Sequence, residues 1–167
     1  MVEAGARDSL QPALLDRLTD HEPTRKVEGR EERVISRAQL RASVLRDLSW
    51  LLNTTNLTAE VDMTGHPLAE QSTINYGLIP LSGKVVSGLE VSGLERILKQ
   101  AIIRFEPRIL PHTLVVKGIA ASDPHLHHNV LSFEISGSLW SQPYPLELLL
   151  KTDMDLESGE IRLAERR

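Results

Sequence analysis

An α+β fold is predicted, with N-terminal helices packed on a C-terminal antiparallel sheet of about four strands. Three observations predict it. Apolar residues recur every three or four positions in the first two thirds of the chain. They alternate with polar residues after Pro111. Glycine and asparagine turn signals separate the alternating runs. The 167 residues are 41% hydrophobic but only 4% aromatic, so the core is expected from Leu, Ile and Val. This length fits a single domain with a small appendage. Residues 1–34 read as a tail, a short helix and a charged linker, and residues 35–167 as the α+β domain.

The first helix is predicted from Ser9, a candidate cap, through Leu10, Leu14, Leu15 and Leu18. His21 to Arg33 is crowded with charge, carries Pro23 and Gly29, and reads as an exposed linker. A long helix follows. Ser36 and Gln39 have capping-box spacing. Leu40, Val44, Leu48 and Leu51 form its stripe, widened by Leu45 and Leu52. Asn53-Thr54-Thr55-Asn56 should end it, because these side chains compete for backbone hydrogen bonds. Pro67 opens a short helix through Leu68 and Ile74. Asn75-Tyr76-Gly77 reads as a turn with Gly77 at positive φ, and Leu81 to Gly93 as a loop.

Ser92 and Glu95 have the spacing of a second capping box. Leu94, Ile97, Leu98, Ala101, Ile102 and Phe105 then share one helix face. Proline disfavours helix in the residue before it, so Pro107 stops this helix near Glu106. A carboxylate at a helix C-terminus is opposed by the dipole at a cost of ~0.3–1 kcal/mol unless a cation compensates, and Arg108 is the obvious one. Two opposite charges on a rigid corner have the character of a docking element; a helix stop with a solvated ion pair is the simpler alternative.

Strands are predicted at Leu114–Ile119, Val130–Leu139, Leu146–Leu156 and Ile161–Leu163. Leu131, Phe133, Ile135 and Leu139 face one side of the second. Glu157-Ser158-Gly159-Glu160 is the turn before the last.

Function classes narrow quickly. The net charge of -4 argues against general nucleic-acid binding. The chain has no cysteine, which excludes disulfides, thiolate metal sites and thiol nucleophiles. The polar N-terminus lacks a signal-peptide core, and no run reaches the ~18 apolar residues of a membrane span. His125, His127 and His128 cluster beside Asp123, but in a predicted loop that fixes no ring, so no metal is expected. Glu106, Glu134, Glu147, Asp153 and Asp155 include no pair placed for acid–base hydrolysis. There is no nucleophile elbow and no phosphate loop. Trp50 and Trp140 are expected to pack. No catalytic residue, cofactor or metal is therefore expected, which leaves a binding or assembly role.

The stretches Leu14-Leu15-Asp16-Arg17-Leu18, Ser43 to Thr54, Asn75-Tyr76-Gly77-Leu78, Ile103-Arg104-Phe105-Glu106-Pro107-Arg108-Ile109, Phe133-Glu134-Ile135, Leu139-Trp140 and Pro145-Leu146-Glu147-Leu148 carry a resemblance in their order and spacing. Together they resemble the TssE family, small baseplate subunits of type VI secretion systems. That family is related to lysozyme-like-named wedge proteins of contractile phage baseplates. The resemblance implies a cytoplasmic structural protein beside TssF, TssG and TssK that couples the baseplate to the TssB/TssC sheath. It also implies that Glu106, Pro107 and Arg108 form a partner-binding motif. Replacing Glu106 and Arg108 together should then leave the fold intact and block sheath assembly. A sheet edge could accept a partner strand, with Pro143 and Pro145 blunting one strand start. A lysozyme-like cell-wall hydrolase and a free regulatory adaptor of the same fold are the alternatives.

Overall fold

The computed structural model describes residues 12–19, 23–24, 35–81, 90–119 and 130–166. The Ser9 cap, most of the linker, residues 82–89 and the His125/His127/His128 loop lie outside them. Helices α1 (Leu14–Leu18), α2 (Arg37–Leu52), α3 (Pro67–Glu70) and α4 (Val91–Phe105) precede strands β1 (Val115–Ile119), β2 (Val130–Leu139), β3 (Leu146–Asp155) and β4 (Ile161–Glu165). The strands form one antiparallel sheet in the order β1-β2-β3-β4. The α+β prediction therefore holds, including the strand number.

Local chemistry explains most boundaries. Ser36 accepts from the Gln39 N–H and Gln39 accepts from the Ser36 N–H, completing the box that starts α2. At its other end, Asn53 Nδ2 and Thr54 Oγ1 donate to the carbonyls of Ser49 and Trp50 at 2.8 and 2.7 Å, taking the orphan acceptors of the last turn. The second capping box does not form. α4 begins two residues earlier, at Val91, with Glu90 at its cap. Glu95 instead reaches sideways and accepts the N–H of Gly118 on β1 at 2.7 Å. An outward-facing strand N–H without another partner outcompetes the helix's own solvated one. The helix expected from Pro67 to Ile74 splits into α3 and a 3₁₀ turn at Thr73–Asn75, with Ser72 capping the second piece.

The core lies between one sheet face and helices α2 and α4. Register puts Phe133 opposite Thr152, Ile135 opposite Leu150 and Gly137 opposite Leu148. All but Gly137 are buried, with Leu139 and Met154 beside them. Leu40, Val44, Leu48 and Leu51 of α2, and Leu94, Leu98 and Ile102 of α4, cover them. The other sheet face carries Ser132, Glu134, Ser136, Ser138, Lys151 and Asp153, the alternation of a one-sided sheet. Trp50 and Trp140 do not pack inside: each is about half exposed, at 50% and 51%. Trp50 instead lies under the Arg46 guanidinium, 5.2 Å from its ring centre.

Gly77 sits at φ +116, next to Leu78, whose N–H donates to the Thr54 carbonyl and whose carbonyl accepts from the Asn56 N–H across the α2 exit. A Cβ there would lie 2.3 Å from the Thr54 carbonyl oxygen. Gly77→Ala should therefore destabilise the fold by about 2–3 kcal/mol through backbone strain and steric displacement. A urea titration reads this as a lower midpoint with unchanged slope; an unaltered midpoint would contradict the close approach.

Candidate functional site

The corner after α4 begins as the sequence predicts. The helix ends at Phe105, and the Glu106 N–H donates to the Ile102 carbonyl at 2.9 Å. Pro107 turns the chain outward and is exposed. Residues 108–110 then run along the end of β2: the Trp140 N–H donates to the Arg108 carbonyl at 2.7 Å, and the Leu110 N–H to the Ser138 carbonyl at 2.9 Å. The corner is thus bound on one side to a helix and on the other to the sheet.

Its charges turn inward. Glu106 is only 3% exposed. Its Oε1 accepts from the backbone N–H and the Nε of Arg108 at 3.1 and 2.7 Å, and its Oε2 accepts from Nη2. The same guanidinium donates through Nη2 to Asp47 Oδ2 at 2.6 Å and through Nη1 to Ser43 Oγ at 3.1 Å. The Ser43 hydroxyl donates in turn to the Leu40 carbonyl at 2.9 Å. Every Arg108 nitrogen of the side chain is engaged, and its side chain is 24% exposed. Burial pulls the Arg108 pKa down, but Glu106 and Asp47 outweigh it and hold it above the usual arginine value. The two charges therefore do not project together toward another molecule. Pro107 and a fraction of Arg108 are what the corner exposes.

The ladder continues beyond the predicted residues. Asp47 Oδ1 accepts from Arg46 Nε at 2.9 Å, and Arg46 Nη1 donates to Asp16 of α1. Asp16, Arg46, Asp47, Arg108 and Glu106 alternate in sign from α1 to the end of α4. Tyr76 closes one side: its hydroxyl reaches the Asp47 carbonyl at 3.4 Å, and its ring meets Phe105 edge-on at 5.2 Å between centroids. Burial, then Asp47 and Glu106, raise the Tyr76 pKa, so the phenol stays neutral beside the two acids. No leucine of α1 is buried, and the Asp16–Arg46 pair ties this helix to α2. At roughly a quarter to a third side-chain exposure, such a pair contributes under about 1 kcal/mol.

Sequence reasoning named Glu106, Pro107 and Arg108 but missed Ser43 and Asp47. A signal for both existed: they stand four apart on α2, on the flank of its apolar stripe, where a polar residue needs a partner. Of the acids considered for hydrolysis, Glu134 pairs with Arg166 at 2.8 Å and Asp153 with Ser132 and Lys151 on the open sheet face. They do not converge with Glu106. Among the described residues, no group of His, Cys, Asp or Glu is placed to hold a metal ion, and no helix is long and apolar enough to cross a membrane.

Burial changes what substitution at the corner does. Arg108→Ala leaves Glu106 charged without a partner in the interior and should cost about 3–5 kcal/mol. The loss exceeds the dipole effect by several-fold, so neutralising Glu106 is the main task of Arg108. Glu106→Gln in the same chain should recover part of that loss, because the amide needs no counter-charge. Urea denaturation of the single and double variants checks this; equal midpoints for wild type and Arg108→Ala would refute it. Replacing Glu106 and Arg108 together removes both charges, so it should cost less than Arg108→Ala alone, with Ser43 and Asp47 each losing a partner.

The sequence model of the family described as baseplate wedge protein gp25 matches residues 38–144. No curated protein and no solved structure matches this sequence. The matched segment runs from the first turn of α2, through the whole charge clasp, to the residues after β2. The chain belongs to the baseplate wedge protein gp25 family.

Proposed function

We propose that this gp25-family chain is a structural subunit of a type VI secretion baseplate, which joins the wedge with TssF, TssG and TssK and helps anchor the TssB/TssC sheath. The observation that carries the reading is the Arg108 clasp within the family match: it makes a rigid joint of α2, α4 and the end of β2. In this reading Glu106 and Arg108 hold the shape of the docking corner, and the accessible part of the corner meets the partner. Pro107 is exposed, and Trp140, hydrogen-bonded to the Arg108 carbonyl through its N–H, leaves half its surface in solvent. An aromatic ring on a fixed support is a favoured anchor for an interface. Rigid support also lowers the ordering cost of association.

The hydrolase alternative draws no support from this geometry. Glu106 is the buried carboxylate of the site, and both its oxygens are committed to Arg108. A general acid must reach a leaving group, and here Arg108 occupies both oxygens.

The test replaces the exposed surface and spares the clasp. Pro107→Ala with Trp140→Ala should leave the urea midpoint within about 0.5 kcal/mol of wild type, while recovery of TssF and TssG by the tagged subunit falls about tenfold or more, a loss of ~1.4 kcal/mol or greater. Undiminished recovery would count against the corner as the wedge contact. Recovery of only an unrelated soluble regulator by the wild-type subunit would favour the adaptor reading.

A further inference from the structure

α1 stands inside out on the domain. Leu14 and Leu18, one turn apart, face solvent, and Leu15 beside them is exposed too. Asp16 lies roughly 200° round the helix from Leu14. It faces α2 instead, where Arg46 Nη1 donates to its Oδ1. Asp16 Oδ2 is enclosed and, among the described residues, accepts no hydrogen bond. A helix of five residues does not hold its shape alone, so docking helps to keep α1 formed. Arg46 is caught between two acids. Its Nε and Nη2 both turn to Asp47 Oδ1, at 2.9 and 2.8 Å. Two parallel bonds to a carboxylate need both of its oxygens, but Arg108 Nη2 holds Oδ2 at 2.6 Å. Arg46 therefore makes half a fork: Nε is bonded, and Nη2 stands near the same oxygen without a hydrogen bond among the described residues. Trp50 backs this guanidinium, 5.2 Å from its ring centre.

We infer that α1 is a releasable strap on the clasp, and that Asp16 is a positioning residue for the corner: by holding Arg46 Nη1, it keeps that arginine from taking both oxygens of Asp47. With α1 docked, Asp47 is shared, one oxygen to each arginine. Arg108 then stays fixed between Asp47 and Glu106. With α1 released, Arg46 turns over the Trp50 ring and completes its fork on Oδ1 and Oδ2. Arg108 must compete for Oδ2, while it keeps Glu106 through Nε and Nη2. The corner retains its buried ion pair but loses a tie to α2. Release is cheap, because no leucine of α1 is buried and the Asp16–Arg46 pair is partly exposed. The coupling runs both ways: whatever fixes Arg108 to Asp47 denies Arg46 its fork and favours the docked strap.

NMR of the full chain tests this through the rate at which the Arg108 guanidinium turns about its Nε–Cζ bond. Slow rotation reports donors held on both sides of that bond. Asp16→Asn keeps the size of the side chain and removes its charge. It should speed Arg108 rotation about two- to fivefold, the effect of losing one part-exposed ion pair. The Leu14–Leu18 Cα shifts should move toward coil values in the same variant. Asp16→Glu, which retains a carboxylate, should leave Arg108 turning as slowly as in wild type. Arg46→Gln removes the competitor, so adding Asp16→Asn to it should change Arg108 rotation no further. Unchanged Arg108 rotation in Asp16→Asn overturns the coupling. Equal acceleration by Asp16→Asn in the Arg46→Gln background overturns the route through Arg46. Equal acceleration by Asp16→Glu and Asp16→Asn overturns the role of the charge. Helical Cα shifts that persist in Asp16→Asn overturn the strap.

Discussion

The Arg108 guanidinium is the contact on which the corner depends. One planar cation satisfies both oxygens of a buried glutamate at the end of α4 and bonds two polar side chains of α2. Its own carbonyl meanwhile accepts from Trp140 past the end of β2. Three elements distant in sequence are thus referred to one residue. A lysine could not do this, since a point charge on a flexible stem lacks the fork that matches a carboxylate while leaving donors for Ser43 and Asp47. The fragility has the same origin: a carboxylate placed against a helix C-terminus in the interior is tolerable only while its counter-charge remains.

Helix side chains also govern the sheet. Glu95 and Asn53 lie in or beside helices whose apolar stripes face the core, yet each spends its polar group on an outer strand. A four-stranded meander leaves two edges, and unpaired edges invite indiscriminate pairing. One edge is crowded by α4 and Glu95. On the other, Asn53 takes both backbone groups of Ile161, and among the described residues nothing takes the outward N–H of Leu163 or Glu165.

Membership of the gp25 family and the geometry of the clasp point in the same direction. The family match covers the residues that build the joint. The joint shows a fully committed carboxylate where a hydrolase would need a free acid. Pro107 and Trp140 are exposed at the corner.

Sequence periodicity was enough for the fold class, the four strands, the limits of α2 and β2, and the stop at Glu106, because those depend on near neighbours: a capping box, alternation, a proline. The capping box at Ser92 failed for a reason of the opposite kind. Glu95 had a better acceptor role on a strand more than twenty residues away, which no local pattern reveals. The partial structure of the site followed the same division. Glu106, Pro107 and Arg108 were legible as a charged corner, since helix end, proline and opposite charges are adjacent. Whether the charges faced solvent or the interior, and that Asp47, Ser43 and Asn53 completed the clasp and the edge, were decided only when packing brought α2 against α4 and β4. The sequence by itself determined which elements form and where each ends, through short-range backbone and side-chain chemistry. Tertiary structure decided which polar groups lose water and must find one another, because desolvation depends on what lies close in space.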